Sequence, residues 1–181
     1  GIQAIQTLWA GPWMLNITGY TPLQSATGLF WINITMLISF LIWGYVLPKI
    51  SEYGISSIKL IKLGLPISYF SLFLIIYFGN NAGAFLFTLY IMTSIVISLT
   101  QPAIALNFSK NLAGKSLTSY NVFLFSGTFF IQWGIGLVID LCNNNGFDIV
   151  SSYRISFSVF LILCVLSCLL YTSDAADDDV R

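Results

Sequence analysis

Gln3, Gln6, Asn33, Gln101, Asn121 and Gln132 are carboxamides set inside otherwise apolar stretches of the chain. Each offers two N–H donors and a carbonyl acceptor. Arranged around a cavity, such groups would hydrogen-bond a small solute. Gln3 and Gln6 lie three apart, on one helix face, and Trp9 and Trp13 continue that face. Indole rings there would supply flat apolar walls or gates. Each amide also has a plainer use, a hydrogen bond to a neighbouring helix, worth about 0.6 kcal/mol on average.

Other chemistries lack their residues. There is no histidine, and Cys142, Cys164 and Cys168 show no metal-ligand spacing. No Asp or Glu lies deep in an apolar run; Asp140 falls near the end of one. A membrane-embedded enzyme needs clustered His, Asp, Glu or Cys. A proton relay needs a titratable group at membrane depth. No catalytic centre, metal or cofactor is therefore expected. With no basic patch, nucleic-acid binding is not expected either.

The elements that must hold the amides follow from composition. Of 181 residues, 57% are hydrophobic and 8% are charged. That is too little charge to coat a globular surface, which ordinarily carries about 25%. The lipid bilayer is the expected surroundings. Five apolar runs, at 23–47, 60–78, 82–106, 117–141 and 153–170, are each long enough to cross the bilayer as a helix. Residues 1–15 read as a sixth, truncated one. The expected class is an all-α integral membrane protein, with residues 1–167 as one six-helix unit. The stretch "CLLYTSDAAD" (168–177) is similar to the in-frame translation of a sequencing adapter, so 168–181 is expected not to be native.

Loop charge sets the orientation. Lys49, Lys59 and Lys62 follow the run 23–47, and Lys110 and Lys115 follow the run 82–106. The positive-inside rule makes loops 48–62 and 107–116 cytoplasmic. Arg154 lies near the opposite boundary, where it could snorkel or pair with Asp140 or Asp148.

Amides are confined to the first, second, fourth and fifth segments. The third and sixth carry hydroxyls and thiols, such as Ser68, Ser71, Ser158 and Cys164. The first, second, fourth and fifth are thus expected to line a wet interior, with the third and sixth as lipid-facing supports. Pro102, beside Gln101, should kink the fourth helix. Gly127 and Gly134 lie seven apart on the fifth and, with Gly44 on the second, read as points of close helix contact. Gly136 reads as a packing glycine.

Three stretches carry a resemblance: "IQTLWAGPWM" (5–14), "LIWGYVLPKI" (41–50) and "NLAGKSLTSYNVFLFSGTFFIQWGIGLVID" (111–140). Together the chain resembles the C-terminal half of a major facilitator superfamily transporter. Gly44 and Lys49 match the family's Gly-x-x-x-Asp-Arg loop motif, but Pro48 stands at the Asp position. The resemblance implies a further six-helix half, a central site between halves, and alternating access by rocking. It also implies a bacterial cytoplasmic membrane. The expected function is secondary transport of a small solute, with Gln132, Asn121, Asn33, Gln101, Trp9, Trp13 and Gln6 on the cavity wall. A non-transporting receptor or scaffold on the same fold is the alternative.

Overall fold

The computed structural model describes residues 2–178, with backbone alone for Ile2, Lys110 and 170–178. Most of the acidic terminal stretch therefore lies outside the described side chains. Every element among the described residues is helical. We number the helices α1 (2–16), α2 (Pro22–Glu52), α3 (Ser57–Phe78), α4 (Ala84–Asn107), α5 (Lys110–Asn144) and α6 (Ile149–Asp178). The last five contain stretches long and apolar enough to cross a membrane. They argue for a multi-pass membrane protein.

Local signals set the helix ends. At α2, Gln24 N–H donates to Thr21 Oγ1 at 3.2 Å and Thr21 N–H donates to Gln24 Oε1 at 2.9 Å. This reciprocal cap, with Pro22 at the first helical position, fixes the start. Ser56 caps α3 by accepting from Lys59 N–H at 3.3 Å. Gly79 ends α3 at φ +52 and Gly146 turns the chain after α5 at φ +85, a left-handed region open mainly to glycine.

The expected lysine loops are mostly helix. Only 53–56 and 108–109 connect α2 to α3 and α4 to α5. Hydropathy marks the depth of lipid, whereas capping marks the end of a helix. Lys49, Glu52 and Lys59 have good helix propensity and carry α2 and α3 beyond their apolar runs.

Packing is one-sided. The core gathers near the end that carries loops 17–21, 79–83 and 145–148. There Trp13 stacks on Phe157, ring centroids 4.8 Å apart, and meets Phe87 and Tyr153 edge-on at 6.1 Å. Met14, Ile32, Leu72 and Ile75 are fully or almost fully buried around this cluster. Towards the lysine end, burial stops at Ser39 on α2, Ser68 on α3, Leu99 on α4, Ile135 on α5 and Phe160 on α6, among the described residues.

α3 and α6 are not peripheral supports. They bury Ser68, Ser71, Leu72, Ile75 and Ile76, and Ser152, Tyr153, Ser156, Phe157 and Phe160. α2 and α5 are the helices with mostly exposed faces. The physical reason is that a serine satisfies itself on backbone carbonyls. Ser68 donates to Leu65 O at 2.8 Å, Ser71 to Ile67 O at 3.0 Å, and Ser156 across to Ile135 O at 2.9 Å. Hydroxyls therefore enter a core that would strand a longer amide.

The glycines also sort differently. A Cβ added at Gly44, Gly127 or Gly134 would meet nothing within 4 Å, so none of the three is a point of close contact in this chain. Gly136 does pack, with Trp9 Cζ2 3.4 Å from where its Cβ would lie. The tightest approaches include Gly28, against Ala84 and Met14, and Gly64, against Val96.

Arg154 reaches neither Asp140 nor Asp148. Its Nη2 donates to Tyr77 O at 3.4 Å, at the C-terminal turn of α3, where a helix dipole favours a cation. Asp148 instead caps α6, accepting from Ser151 N–H at 3.1 Å. Its hydrogen bonds to Ser151 hold its carboxyl below the usual carboxylate range. A depressed folded pKa contributes stability above the unfolded value and loses it as pH falls through the folded one. Amide-exchange protection at Ser151 is thus expected to hold from neutral pH and to fall only below the ordinary carboxylate range. Asp148→Asn keeps the cap and should flatten that pH dependence; a profile unchanged by the substitution would count against this role.

Candidate functional site

The polar residues form two neighbouring features, a seam and a cavity. The seam starts on α1, where residues Ile5–Trp9 adopt a π-helix. Ala10 N–H bonds back five residues to Ile5 O. Pro12 follows within the same helix and cannot donate to the carbonyl of Leu8. Such single-turn widenings are frequent at functional sites because they re-aim side chains.

Here the widened turn presents its polar groups to two partners. Gln6 Nε2 donates to Asn33 Oδ1 on α2 at 3.2 Å. On the α5 side, Gln132 Nε2 donates to Thr7 Oγ1 at 2.8 Å, and Thr7 passes its own proton to Gln3 O at 2.8 Å. Trp9 Nε1 donates to Gln132 O at 3.2 Å. The seam thus ties α2, α1 and α5 together.

The cavity has a volume of about 1000 Å³. It runs from Gln3, Gln6, Ile91 and Ser94 at mid-bundle to Ile58, Lys62 and Asn107 at the lysine end, with walls from α1 through α6. Its lining is mainly apolar, with Tyr69, Tyr120, Phe123 and Phe160 among the aromatic members. α4 supplies a long wall, and that helix is broken. Residues Ile95–Leu99 form a 3₁₀ turn between α-helical stretches, immediately before Thr100–Asn107. Pro102 lacks the N–H that Ser98 O would accept in an α-helix. Side chains serve the loosened carbonyls, Ser98 Oγ donating to Ile95 O at 2.7 Å and Thr100 Oγ1 to Ile97 O at 2.8 Å. The hydroxyls of Thr100 and Tyr120 share a 2.6 Å hydrogen bond, tying the break to α5.

Of the residues singled out from sequence, Gln3, Gln6, Gln101 and Gly127 line this cavity. Gln3 and Gln6 are also shared with the seam. Gln132, Asn33 and Trp9 belong to the seam alone. Trp13 lies in the aromatic core and off the cavity wall. Asn121 is exposed and also off the wall, while its neighbour Tyr120 lines it. One residue is about 100° of rotation on a helix, enough to exchange wall for outer surface. Gly44 and Pro102 meet instead at a small groove of about 170 Å³ between α2 and α4. Lys49 lies in neither space. Its Nζ donates to Tyr45 Oη at 2.6 Å and sits 4.0 Å from that ring's centroid.

Sequence reasoning missed Thr7, Tyr69 and Ser94. A threonine directly after Gln6, four residues beyond Gln3, was a readable hint of the seam. For Ser94 and Tyr69 the sequence held no signal, because a lone hydroxyl in an apolar run reads as packing. Comparisons with protein-family models, curated proteins and solved structures return no match for this chain.

Proposed function

We propose that this chain belongs to a secondary transporter that moves a small uncharged solute by alternating access. The observation that carries the reading is the one-sided cavity. A space of about 1000 Å³ is sealed at one end by an aromatic core and extends to the lysine end of the bundle. Ligand sites have this volume and this balance of apolar wall and few polar groups. Two further features support it: a widened turn in α1 and a broken α4, both bordering the cavity. Proline-interrupted helices beside a binding space are the usual means by which transporters expose backbone and bend. The likeness of 5–14 and 111–140 to the major facilitator superfamily points the same way. In that scheme the lysine end is cytoplasmic, and the chain works with a further six-helix half.

Gln132 acts in this reading by holding α5 to α1 beside the cavity. Gln132→Ala should lower solute uptake about threefold, the worth of one interhelical hydrogen bond, with unchanged abundance in the membrane. Uptake measured with and without the substitution in cells making the whole protein tests this. Unchanged kinetics would leave Gln132 a packing residue. Absence of flux for every solute class tried, with partner-dependent signalling, would favour the scaffold reading.

A further inference from the structure

We propose that the deep end of the cavity, at Ser94 and Gln6, binds the hydroxyl head of an uncharged and otherwise apolar molecule. This names the solute class for the transporter reading and rests on that reading only for the claim that the bound molecule is the one moved.

Ser94 is the unusual residue. It is 2% exposed, lines the cavity, and its Oγ has no hydrogen-bond partner among the described residues. Other hydroxyls along the same helix bond back to a carbonyl three or four residues earlier, as Thr88, Thr93, Ser98 and Thr100 do. Tyr90, one turn before Ser94, likewise keeps a buried hydroxyl without a partner. The two hydroxyls face each other closely enough for a weak hydrogen bond, short of good distance and angle. A buried polar group without a well-formed partner is costly, and Ser94, the member of the pair that lines the cavity, is the one a ligand's polar atom can complete.

Gln6 supplies the complement. Its Nε2 is used on Asn33, and its Oε1 accepts no hydrogen bond among the described residues. A ligand hydroxyl at this wall can donate to Gln6 Oε1, or accept from and donate to Ser94 Oγ. The remainder of the wall selects an apolar body. Ile91, Ile95, Ile131 and Phe160 surround this end. Among the described residues no acidic side chain lines the cavity, and the basic one that does, Lys62, lies at the opposite end. A charged head would lose its hydration here with nothing to pair it.

Photolabelling tests the site directly. The whole protein, purified into lipid nanodiscs, is irradiated with a diazirine-bearing octanol, and adducts are mapped by peptide mass spectrometry. Adducts are expected on Gln6, Tyr69 and Cys164, and excess unlabelled octanol should abolish them. Ser94→Leu fills the deep end and should remove the competable adducts. Ser94→Ala keeps the space and should weaken octanol competition about two- to tenfold, the worth of one hydrogen bond. Adducts confined to outward-facing side chains such as Phe30, Leu41 and Phe130, insensitive to competitor, would overturn the site. So would competition unaltered by Ser94→Ala. Competable cavity adducts without flux of any hydroxyl-bearing apolar solute would sink the transporter reading and leave the site standing.

Discussion

Trp13→Ala should destabilise the helix bundle by about 3 kcal/mol, near the lower end of the range for deleting a buried tryptophan. Trp13 is fully buried and touches three aromatic rings, from α4 and α6, at 4.8 to 6.1 Å between centroids. In a bilayer the unfolded reference already sits in hydrocarbon, so most of the transfer term cancels. What remains is the void, whose lining loses its dispersion contacts outright. The indole Nε1 has no hydrogen-bond partner among the described residues, so truncation strands no acceptor. Trp13→Phe is therefore expected to retain most of the stability. Detergent-titration unfolding of the two variants measures the difference. Equal losses for Ala and Phe would show that ring packing is not what holds this end together.

Gly64→Leu should cost about 2–3 kcal/mol, the upper part of the range for overpacking. A Cβ at Gly64 would stand 2.7 Å from Val96 Cγ1 and 3.1 Å from its Cβ and Cγ2. Val96 is β-branched, so it cannot swing aside cheaply. It also sits in the 3₁₀ turn of α4, buried to 4% exposure, which leaves backbone displacement as the relief. The contact is local, so it has a local cure. Val96→Ala in the Gly64→Leu background should recover much of the loss, a coupling that a double-mutant cycle reads directly. Losses that simply add would mean the two helices are held apart by something else.

The sequence made the spans legible because length and apolarity are properties of a segment. Continuous runs in α2 through α6 needed no knowledge of neighbours. Contacts between helices are another matter. Gly127 and Gly134 share a face by spacing, yet nothing packs against them; Gly64 has no such pattern, yet touches Val96. Which face meets a partner depends on where that partner lies. Register behaves alike at Tyr120 and Asn121, adjacent residues on opposite sides of the cavity wall. The amides were visible, and several meet in the seam. What distinguishes Ser94 is the absence of a partner, and an absence has no spelling.

The one-sided packing has a mechanical consequence. α2 has 31 residues and α5 has 35. At 1.5 Å per residue these are rods of about 46 and 52 Å, against roughly 30 Å of hydrocarbon. α2 is gripped near one end and scarcely held at the other, the arrangement of a cantilever, while α5 has a further tie to α4 at Tyr120. Rotating such a rod by about 5° at its root carries its tip about 4 Å. An adjustment at the aromatic core small enough to leave its ring contacts intact would widen or narrow the lysine end by most of a side chain's width.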